Sequence, residues 1–463
     1  MLTLLLALSC ALVLPTAANA SRNQLLTFEA PRDLLDPATR EGALTRLDSL
    51  GVRSLRVVMY WKDVAPKSDS RDQPDFDATD PAGYDFSRVD PVLDAAKARG
   101  WPVLLTVSGP VPRWATRDRK DNVTRPNADK FAQFMTAVGR HYKNRVAYWA
   151  VWNEPNHPVF LAPQFDRFKR PVSPGLYRTL FLAAQRGLES AKVPNPQILM
   201  GETAPRGTGK DVAPLTFLRG ALCLSASYKK TSQKCDRLDI DGFAHHAYTT
   251  RSGPSFVPPG RNDVTIGVLP RLVSALDRAA RAKAIPANTP IYLTEFGIQS
   301  EPDPIFGVSF QRQAEFRAIS ERIAYDETRV KSFSQYLLTD DAPRTSGPKI
   351  ARFSGFESGL ITAAGRPKPS LDAFRLALAA SRRSSKTTSI WGLVRPATAA
   401  GSATLEARAG ATGAFRTFKT VSHNRLGYFS LTTPFKPGRQ YRLVWTAPDG
   451  TVYRGAPTRT YGR

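Results

Sequence analysis

Two glutamates in this sequence each follow a run of apolar residues directly. Glu154 comes after the segment 148–153, and the next residue, Pro155, has no backbone N–H and therefore ends a strand ladder. Glu295 follows the run 291–294 in the same way. Both runs are typical of buried strands, which would place one carboxyl group at each strand end. Two such groups near each other can do acid–base or nucleophilic chemistry if one is protonated and the other ionised.

The segment from residue 25 to about residue 380 alternates short apolar runs with helical periodicity. The spacing predicts eight strands, at residues 25–30, 55–60, 103–107, 147–153, 197–201, 240–245, 291–296 and 333–338. The clearest helices are expected at residues 37–50, 89–99, 128–142, 176–191 and 311–323. The first two are expected to stop at Gly51 and Gly100, since glycine is favoured just after a helix.

Eight strand-then-helix units in this length fit an α/β fold, the (β/α)8 or TIM barrel, with insertions. A doubly wound sheet would require a glycine-rich turn after the first strand, and Phe28-Glu29-Ala30-Pro31 offers none. Barrel active sites lie at the C-terminal ends of the strands. Glu154 and Glu295 would end the fourth and seventh strands, nearly opposite each other. This arrangement suits cleavage of a glycosidic bond.

Asn153-Glu154-Pro155 and Thr294-Glu295-Phe296-Gly297 resemble the motifs of clan A, the retaining (β/α)8 glycoside hydrolases. The clan includes the cellulase-like family 5 and the xylosidase/iduronidase-like family 39, and the resemblance covers residues 25 to 380. It implies the following roles: Glu154 as acid/base, Glu295 as nucleophile, Asn153 as the holder of the sugar 2-hydroxyl, Arg56 as the cation beside the nucleophile, and His246 and Tyr248 as the sixth-strand pair. A cation and a hydroxyl donor beside Glu295 would lower its pKa.

The sequence departs from the family pattern on two strands. The third strand carries no histidine, and the eighth ends with Tyr336 where many clan members have a tryptophan. We expect Trp61 and Trp114 to supply sugar stacking together with Tyr336. These departures favour the family 39-like branch. Glu202, at the end of the fifth strand, is either a substrate contact or the structural partner of an arginine such as Arg206.

The pattern of apolar and polar residues changes near residue 381. Residues 381–386 are interpreted as a linker between a barrel domain, 21–380, and a basic β-sandwich of immunoglobulin or fibronectin type, 387–463. Glu406 and Asp449 are the only acidic residues of this module. Its aromatic residues are expected either in the core or in a sugar platform. They are Trp391, Tyr428, Tyr441 and Trp445.

Residues 1–20 are typical of a signal peptide, because an apolar run at 4–14 precedes Ala18-Asn19-Ala20. The alternative is a buried N-terminal helix. No other apolar run is long enough for a stable membrane span. In an exported chain Cys223 and Cys235 are expected to form a disulfide, with two free thiols as the alternative.

The net charge of +25 favours anionic polymers or acidic cell-surface glycans, unless it merely reflects high arginine usage. No nucleic-acid motif, phosphate loop or metal-ligand spacing is present in the sequence, so neither nucleic acid, cofactor nor metal is expected. The sequence thus predicts a secreted retaining glycoside hydrolase acting on an oligo- or polysaccharide. The alternative is an inactive barrel that binds cell-wall glycans, with the basic module attaching it to an anionic surface.

Overall fold

The computed structural model describes residues 24–233 and 235–462. The predicted signal peptide, residues 1–20, lies outside them. Eight parallel strands close into a barrel in sequence order, which confirms the predicted fold. These strands are β1 Leu25–Glu29, β2 Leu55–Tyr60, β3 Val103–Ser108, β4 Tyr148–Val151, β5 Gln197–Thr203, β6 Gly242–His246, β7 Ile291–Glu295 and β8 Val330–Tyr336.

Helices follow the strands and cover the barrel. Their bounds are α1 Pro31–Leu34, α2 Arg40–Ser49, α3 Trp61–Val64, α4 Asp90–Ala98, α5 Ala128–Tyr142, α6 Ser173–Ser190, α7 Pro214–Ala221, α8 Leu269–Arg281, α9 Phe310–Asp326, α10 Lys349–Arg352 and α11 Pro369–Arg375. Gly51 and Gly100 adopt φ of 79° and 66° just beyond α2 and α4. Only glycine takes this conformation without a Cβ penalty, so the predicted helix stops are confirmed.

The barrel interior below the strand tips is filled by apolar side chains from successive strands. Leu104, Ala150, Leu199, Ala244 and Tyr292 form this layer, one from each of β3 to β7. The layer supports the polar side chains above it, since barrel interiors are packed cores and not pores. Functional groups are therefore confined to the open, C-terminal end of the barrel.

The C-terminal region folds into a second, mostly antiparallel sheet domain. Its strands are β9 Leu376–Arg382, β10 Thr387–Val394, β11 Gly401–Ala409, β12 Arg416–His423, β13 Tyr428–Pro434, β14 Arg439–Thr446, β15 Val452–Arg454 and β16 Thr458–Tyr461. Two layers enclose an apolar core that contains Leu378, Leu405 and Leu443. β16 joins the layers by pairing with β14 on one side and with β9 on the other.

The boundary between the domains differs from the expected one. The segment 376–380, assigned from sequence to the barrel, is the body of β9, which follows α11 with no intervening loop. Its Leu-Ala-rich composition favours helix and hides the strand. Residues 381–386 are not a linker but the end of β9 and a hairpin turn. In this turn the backbone N–H of Arg383 donates to the Thr387 carbonyl at 3.0 Å.

A second apolar cluster joins the two domains. Trp391 and Leu393 of β10 pack with Ile319 of α9, and Tyr428 packs against the same cluster. Tyr441 is also buried, in the module's own core. Trp391, Tyr428 and Tyr441 are thus used for packing and do not form an exposed sugar platform.

Two further features concern the location of the chain. Cys223 and Cys235 are joined by a disulfide, as expected. Within residues 24–233 and 235–462, no helix is long and apolar enough to cross a membrane.

The domain interface yields a test of stability. Arg395 donates to both carboxylate oxygens of Glu321 at 2.7 and 2.8 Å, and both side chains are buried. Arg395→Ala would remove one cationic partner of the buried Glu321 carboxylate, so it should lower the free energy of unfolding by roughly 3–5 kcal/mol. Urea unfolding monitored by circular dichroism measures this loss.

The matched control is Arg459→Ala. Arg459 also pairs with a glutamate of α9, Glu315, at 3.3 Å, but its side chain is 58 % exposed. This variant should cost less than about 1 kcal/mol, because water screens exposed pairs. Equal losses in the two variants would contradict a structural role for the buried pair.

Candidate active site

The guanidinium group of Arg56, on β2, lies at the centre of the polar site. It donates to Glu202 through Nε at 3.1 Å and Nη2 at 2.7 Å, and to Asn153 Oδ1 through Nη2 at 2.7 Å. Its Nη1 donates to Glu295 at 3.0 Å and also to Glu29. Burial alone would lower the pKa of Arg56, but the three carboxyl groups raise it well above the ordinary value. Arg56 is therefore a fixed positive charge.

Glu295 ends β7 and is the carboxyl group best prepared to act as a nucleophile. Its Oε1 accepts a hydrogen bond of 2.6 Å from the Tyr248 hydroxyl, and its Oε2 lies 3.0 Å from Arg56. Burial alone would raise its pKa, but His246, Arg56 and the Tyr248 hydroxyl together hold that pKa below the ordinary value of 4.5. Glu295 is therefore ionised at neutral pH.

Glu154 lies just beyond the end of β4, where the backbone leaves the sheet. Trp152 and Glu154 have φ of 70° and 39°, a region that costs non-glycine residues free energy. Neighbouring strands hold this conformation, because the Trp152 N–H donates to the backbone carbonyl of Val107 and the Glu154 N–H donates to the backbone carbonyl of Glu202. The Glu154 side chain remains 18 % exposed. It can thus meet a substrate in the cleft.

His246 links the two glutamates. Its Nδ1 lies 2.9 Å from Glu154 Oε1 and 3.6 Å from Glu295 Oε2. These two carboxylate oxygens are therefore at most 6.5 Å apart, the sum of the two distances. Burial alone would lower the pKa of His246, but Glu295 and Glu154 raise it above 6.5. The two carboxyl groups thus favour the protonated form of the imidazole between them.

The neighbouring His245 points away from the site. Its two ring nitrogens bond to the Thr203 hydroxyl and to the Val264 carbonyl, both at 2.9 Å. Burial lowers the pKa of His245 to about 4, so it is neutral. Among the described residues, no three His, Cys, Asp or Glu side chains come together as a metal site.

The structure brings most of the sequence-predicted site residues together, but not the two tryptophans. Trp61 is fully buried, stacks on Phe134 at 5.0 Å and meets Trp114 edge to face at 5.7 Å. Trp114 is buried as well, and its Nε1 donates to the Pro66 carbonyl at 3.2 Å. Both belong to the core between barrel and helices. The expectation that they stack on a sugar is corrected.

Tyr336, in contrast, does lie in the site. It ends β8, is only partly buried and contacts Phe356 edge to face at 4.9 Å. Its pKa is raised well above 10 by burial and by the nearby charges of Glu295 and Glu29. Tyr336 therefore presents a neutral hydroxyl and an apolar ring beside the nucleophile.

Two further buried carboxyl groups belong to the site, one with alternative roles expected from sequence and one with none. Glu202 was expected either at the substrate or beside an arginine such as Arg206, and its partner is Arg56. Arg206 instead faces Asp263 at 3.8 Å. Glu29 received no role, although it ends β1 just as Glu295 ends β7. A polar residue at the end of an apolar strand was the signal that could have identified it.

Glu29 and Glu295 bind the same arginine but differ in protonation. Burial raises the pKa of Glu29 to about 8; Arg56 offsets part of this effect, and the charges of Glu295 and Glu202 add to it. The Tyr248 hydroxyl donates a hydrogen bond to Glu295, and His246 faces it. Within the described residues, neither of these two groups forms a hydrogen bond with Glu29. Glu29 is therefore mainly protonated at neutral pH.

An open cleft of about 500 Å³ adjoins these groups at the barrel mouth. Glu154 and Tyr248 form part of its wall, and the loops after β4, β5, β6, β7 and β8 form the rest. The site thus combines an ionised buried glutamate beside Arg56, a second glutamate in an open cleft and His246 between the two. This arrangement can attack an electrophilic carbon on one side and protonate a leaving oxygen on the other.

The protonation of Glu29 predicts a pH effect on stability. The native state holds the Glu29 proton up to about pH 8, whereas an unfolded glutamate releases it near 4.5. The contribution of this group to stability is thus full below pH 4.5 and is lost as the pH rises to 8. In the wild type, Glu29 should lower the free energy of unfolding by on the order of 1 kcal/mol for each pH unit in this range. Glu29→Gln should not show this decrease.

Urea unfolding of the wild type and of Glu29→Gln between pH 5 and pH 8 measures this difference. Glu189→Gln, at an exposed position of α6, is the control and should leave the pH slope unchanged. A stability difference between the wild type and Glu29→Gln that is constant with pH would show that Glu29 is ionised in the native state.

Comparisons with known proteins show a partial sequence match and a shared fold. Residues 18–159 match the family model described as cellulase, glycosyl hydrolase family 5. No curated protein sequence matches the chain. A glucosidase from Croceicoccus marinus shares 13 % identity over 91 % of this chain and 95 % of its own, with a TM-score of 0.53. A hyperthermophilic β-glucosidase from Pyrococcus furiosus shares 14 % identity over 76 % of this chain and 94 % of its own, with a TM-score of 0.47.

The family match contains Arg56, Asn153 and Glu154, whereas Glu295 lies beyond it. The likeness to the Croceicoccus enzyme shows the shared fold. The family match supports a glycoside hydrolase, and the likeness to the Croceicoccus enzyme adds the fold alone. The chain is thus similar to the cellulase-like glycoside hydrolases of clan A, in sequence over residues 18–159 and in its barrel fold.

Proposed function

We propose that this protein is a retaining glycoside hydrolase, with Glu295 as nucleophile and Glu154 as acid/base. The observation that carries the proposal is the separation of at most 6.5 Å between oxygens of the two carboxyl groups, set by their shared contact with His246. Retaining enzymes need about 5–5.5 Å, whereas inverting enzymes hold the groups about 6.5–9.5 Å apart to admit water. The observed geometry favours direct attack.

In the first step, the Glu295 carboxylate attacks the anomeric carbon while the bond to the leaving oxygen breaks. Glu154 transfers its proton to that oxygen, so the leaving group departs as a neutral alcohol. The product is a glycosyl ester of Glu295. The low pKa of Glu295 supports its role, because the attacking oxygen must be ionised.

In the second step, Glu154 accepts a proton from water, and the water oxygen attacks the anomeric carbon. The ester bond breaks, the Glu295 carboxylate is restored and Glu154 is again protonated. One water is consumed for each bond cleaved. The exposure of the Glu154 side chain supports this step, since water must reach it.

The surrounding groups favour the charges that this cycle requires. Arg56 and Tyr248 stabilise the Glu295 carboxylate before attack and after release. Asn153 has its Oδ1 engaged by Arg56, so its Nδ2 amide is the group that can donate to a sugar hydroxyl. In this proposal Tyr336 lies against the sugar in the place of a family tryptophan.

Export and surface attachment belong to the same proposal. The disulfide and the apolar segment at residues 4–14 are consistent with secretion. The scarcity of acidic residues in the C-terminal module favours an anionic cell-surface glycan as its partner. Because its aromatic side chains are largely buried, attachment would depend on charge.

Loss of either carboxyl group should abolish turnover. With a panel of 4-nitrophenyl glycosides, Glu295→Gln and Glu154→Gln are each expected to lower kcat by roughly 10²–10⁴-fold or more. Glu301→Gln, an exposed glutamate in the loop after β7, is the control and should keep the wild-type rate. A fluorosugar that traps the intermediate should label Glu295, as read by peptide mass spectrometry.

Wild-type turnover in either variant, or a label on another residue, would refute the assignment. Binding of glycans by the wild type without hydrolysis of any of them would instead favour the inactive, glycan-binding barrel.

A further inference from the structure

Exposed apolar side chains are concentrated in the catalytic cleft. Four of the nine large apolar side chains that are exposed among the described residues line this one cleft. They are Ile305, Phe306, Ile350 and Phe356, with exposures of 45, 47, 54 and 37 %. Exposing a large apolar patch to water costs free energy, so such a patch often marks a binding site. We call these four residues the apolar wall.

The half of the apolar wall that follows β7 is held in place by its own loop. Asp303 is buried, and its Oδ1 accepts hydrogen bonds from the backbone N–H groups of Ile305 at 2.7 Å and Phe306 at 3.1 Å. These bonds fix the backbone, and the two side chains still project into the cleft. They also occupy this carboxylate oxygen, which is then less available to bind a sugar hydroxyl.

The half that follows β8 is fixed in a similar way. The Phe356 N–H donates to Asp341 Oδ2 at 2.9 Å, and the Asp341 N–H donates to the Phe356 carbonyl at 3.0 Å. The Phe356 ring lies 4.9 Å from the Tyr336 ring and 6.3 Å from the Tyr248 ring. The apolar wall is therefore continuous with the residues that surround Glu295.

We place the cleft on the leaving-group side of the scissile bond, because Glu154, which would protonate the leaving oxygen, forms part of its wall. The part of a substrate that extends from the leaving oxygen must pass along the acid/base residue. It would then meet Ile305, Phe306 and Ile350.

We propose that the apolar wall binds an apolar leaving group, such as a long alkyl or aryl aglycone, and that the enzyme cleaves glycosides of this class. The inference rests on the proposed function, because it assigns a leaving group to that reaction. A second sugar would need hydrogen-bonding partners at the apolar wall. The side chains of Ile305 and Ile350 provide none, and burying an unpaired hydroxyl against them would cost free energy.

The test compares two glycosides of the sugar that the wild type cleaves fastest as a 4-nitrophenyl glycoside. The n-octyl and methyl glycosides have leaving groups of similar acidity but different apolar area. The wild type should show kcat/KM for the octyl glycoside at least about tenfold above that for the methyl glycoside. Phe306→Ser and Ile350→Ser should each reduce this ratio, and the double variant should bring it close to one.

Phe168→Ser is the matched control. Phe168 is 62 % exposed but is not part of the cleft lining, so its loss should leave the ratio unchanged. All of these side chains are exposed, and the methyl glycoside reports whether each variant keeps its basal activity.

Four outcomes would overturn the inference. A wild-type ratio near one, or a ratio that Phe306→Ser and Ile350→Ser leave unchanged, refutes the apolar leaving group while the hydrolase assignment stands. A disaccharide of the same sugar cleaved faster than the octyl glycoside would assign the cleft to a second sugar. A wild type that cleaves no glycoside in the panel refutes the proposed function and this inference together.

Discussion

The site depends on one buried cation. The guanidinium group of Arg56 contacts side chains from β1, β5 and β7, and it also contacts Asn153, which follows β4. A buried charge of this kind is tolerated only when its partners are complete, because removing one leaves an unpaired ion. The four partners meet it only when the barrel closes in the observed register. Barrel closure and assembly of the site are therefore one structural requirement.

The glutamates around this cation differ in protonation. Glu29 and Glu295 both bond to Arg56, yet the pKa of Glu29 is raised and that of Glu295 is lowered. The additional donors explain the difference, since Tyr248 and His246 are directed at Glu295. A cluster of three carboxyl groups beside one arginine thus keeps one of them neutral and another ionised. The ionised member, Glu295, is the one that the proposed reaction uses as nucleophile.

The sequence was a good guide to the barrel and to the positions of Glu154 and Glu295 at strand ends, and a poor guide to their surroundings. Buried parallel strands appear as apolar runs, and a glutamate at the end of such a run marks the open end of the barrel. The same rule would have identified Glu29. Trp61 and Trp114 were misplaced, because an aromatic residue after a strand does not reveal which side of the chain faces the substrate. The β9 strand was hidden by its helix-like composition.

The central claim is that Glu295 bonds directly to the anomeric carbon, because His246 holds it within 6.5 Å of Glu154. The stereochemistry of the first-formed sugar tests this claim most directly. Hydrolysis of a susceptible 4-nitrophenyl glycoside is followed by proton NMR, and the anomeric signal is read before mutarotation. The account predicts that the released sugar has the anomeric configuration of the substrate. Release of the opposite anomer would contradict it.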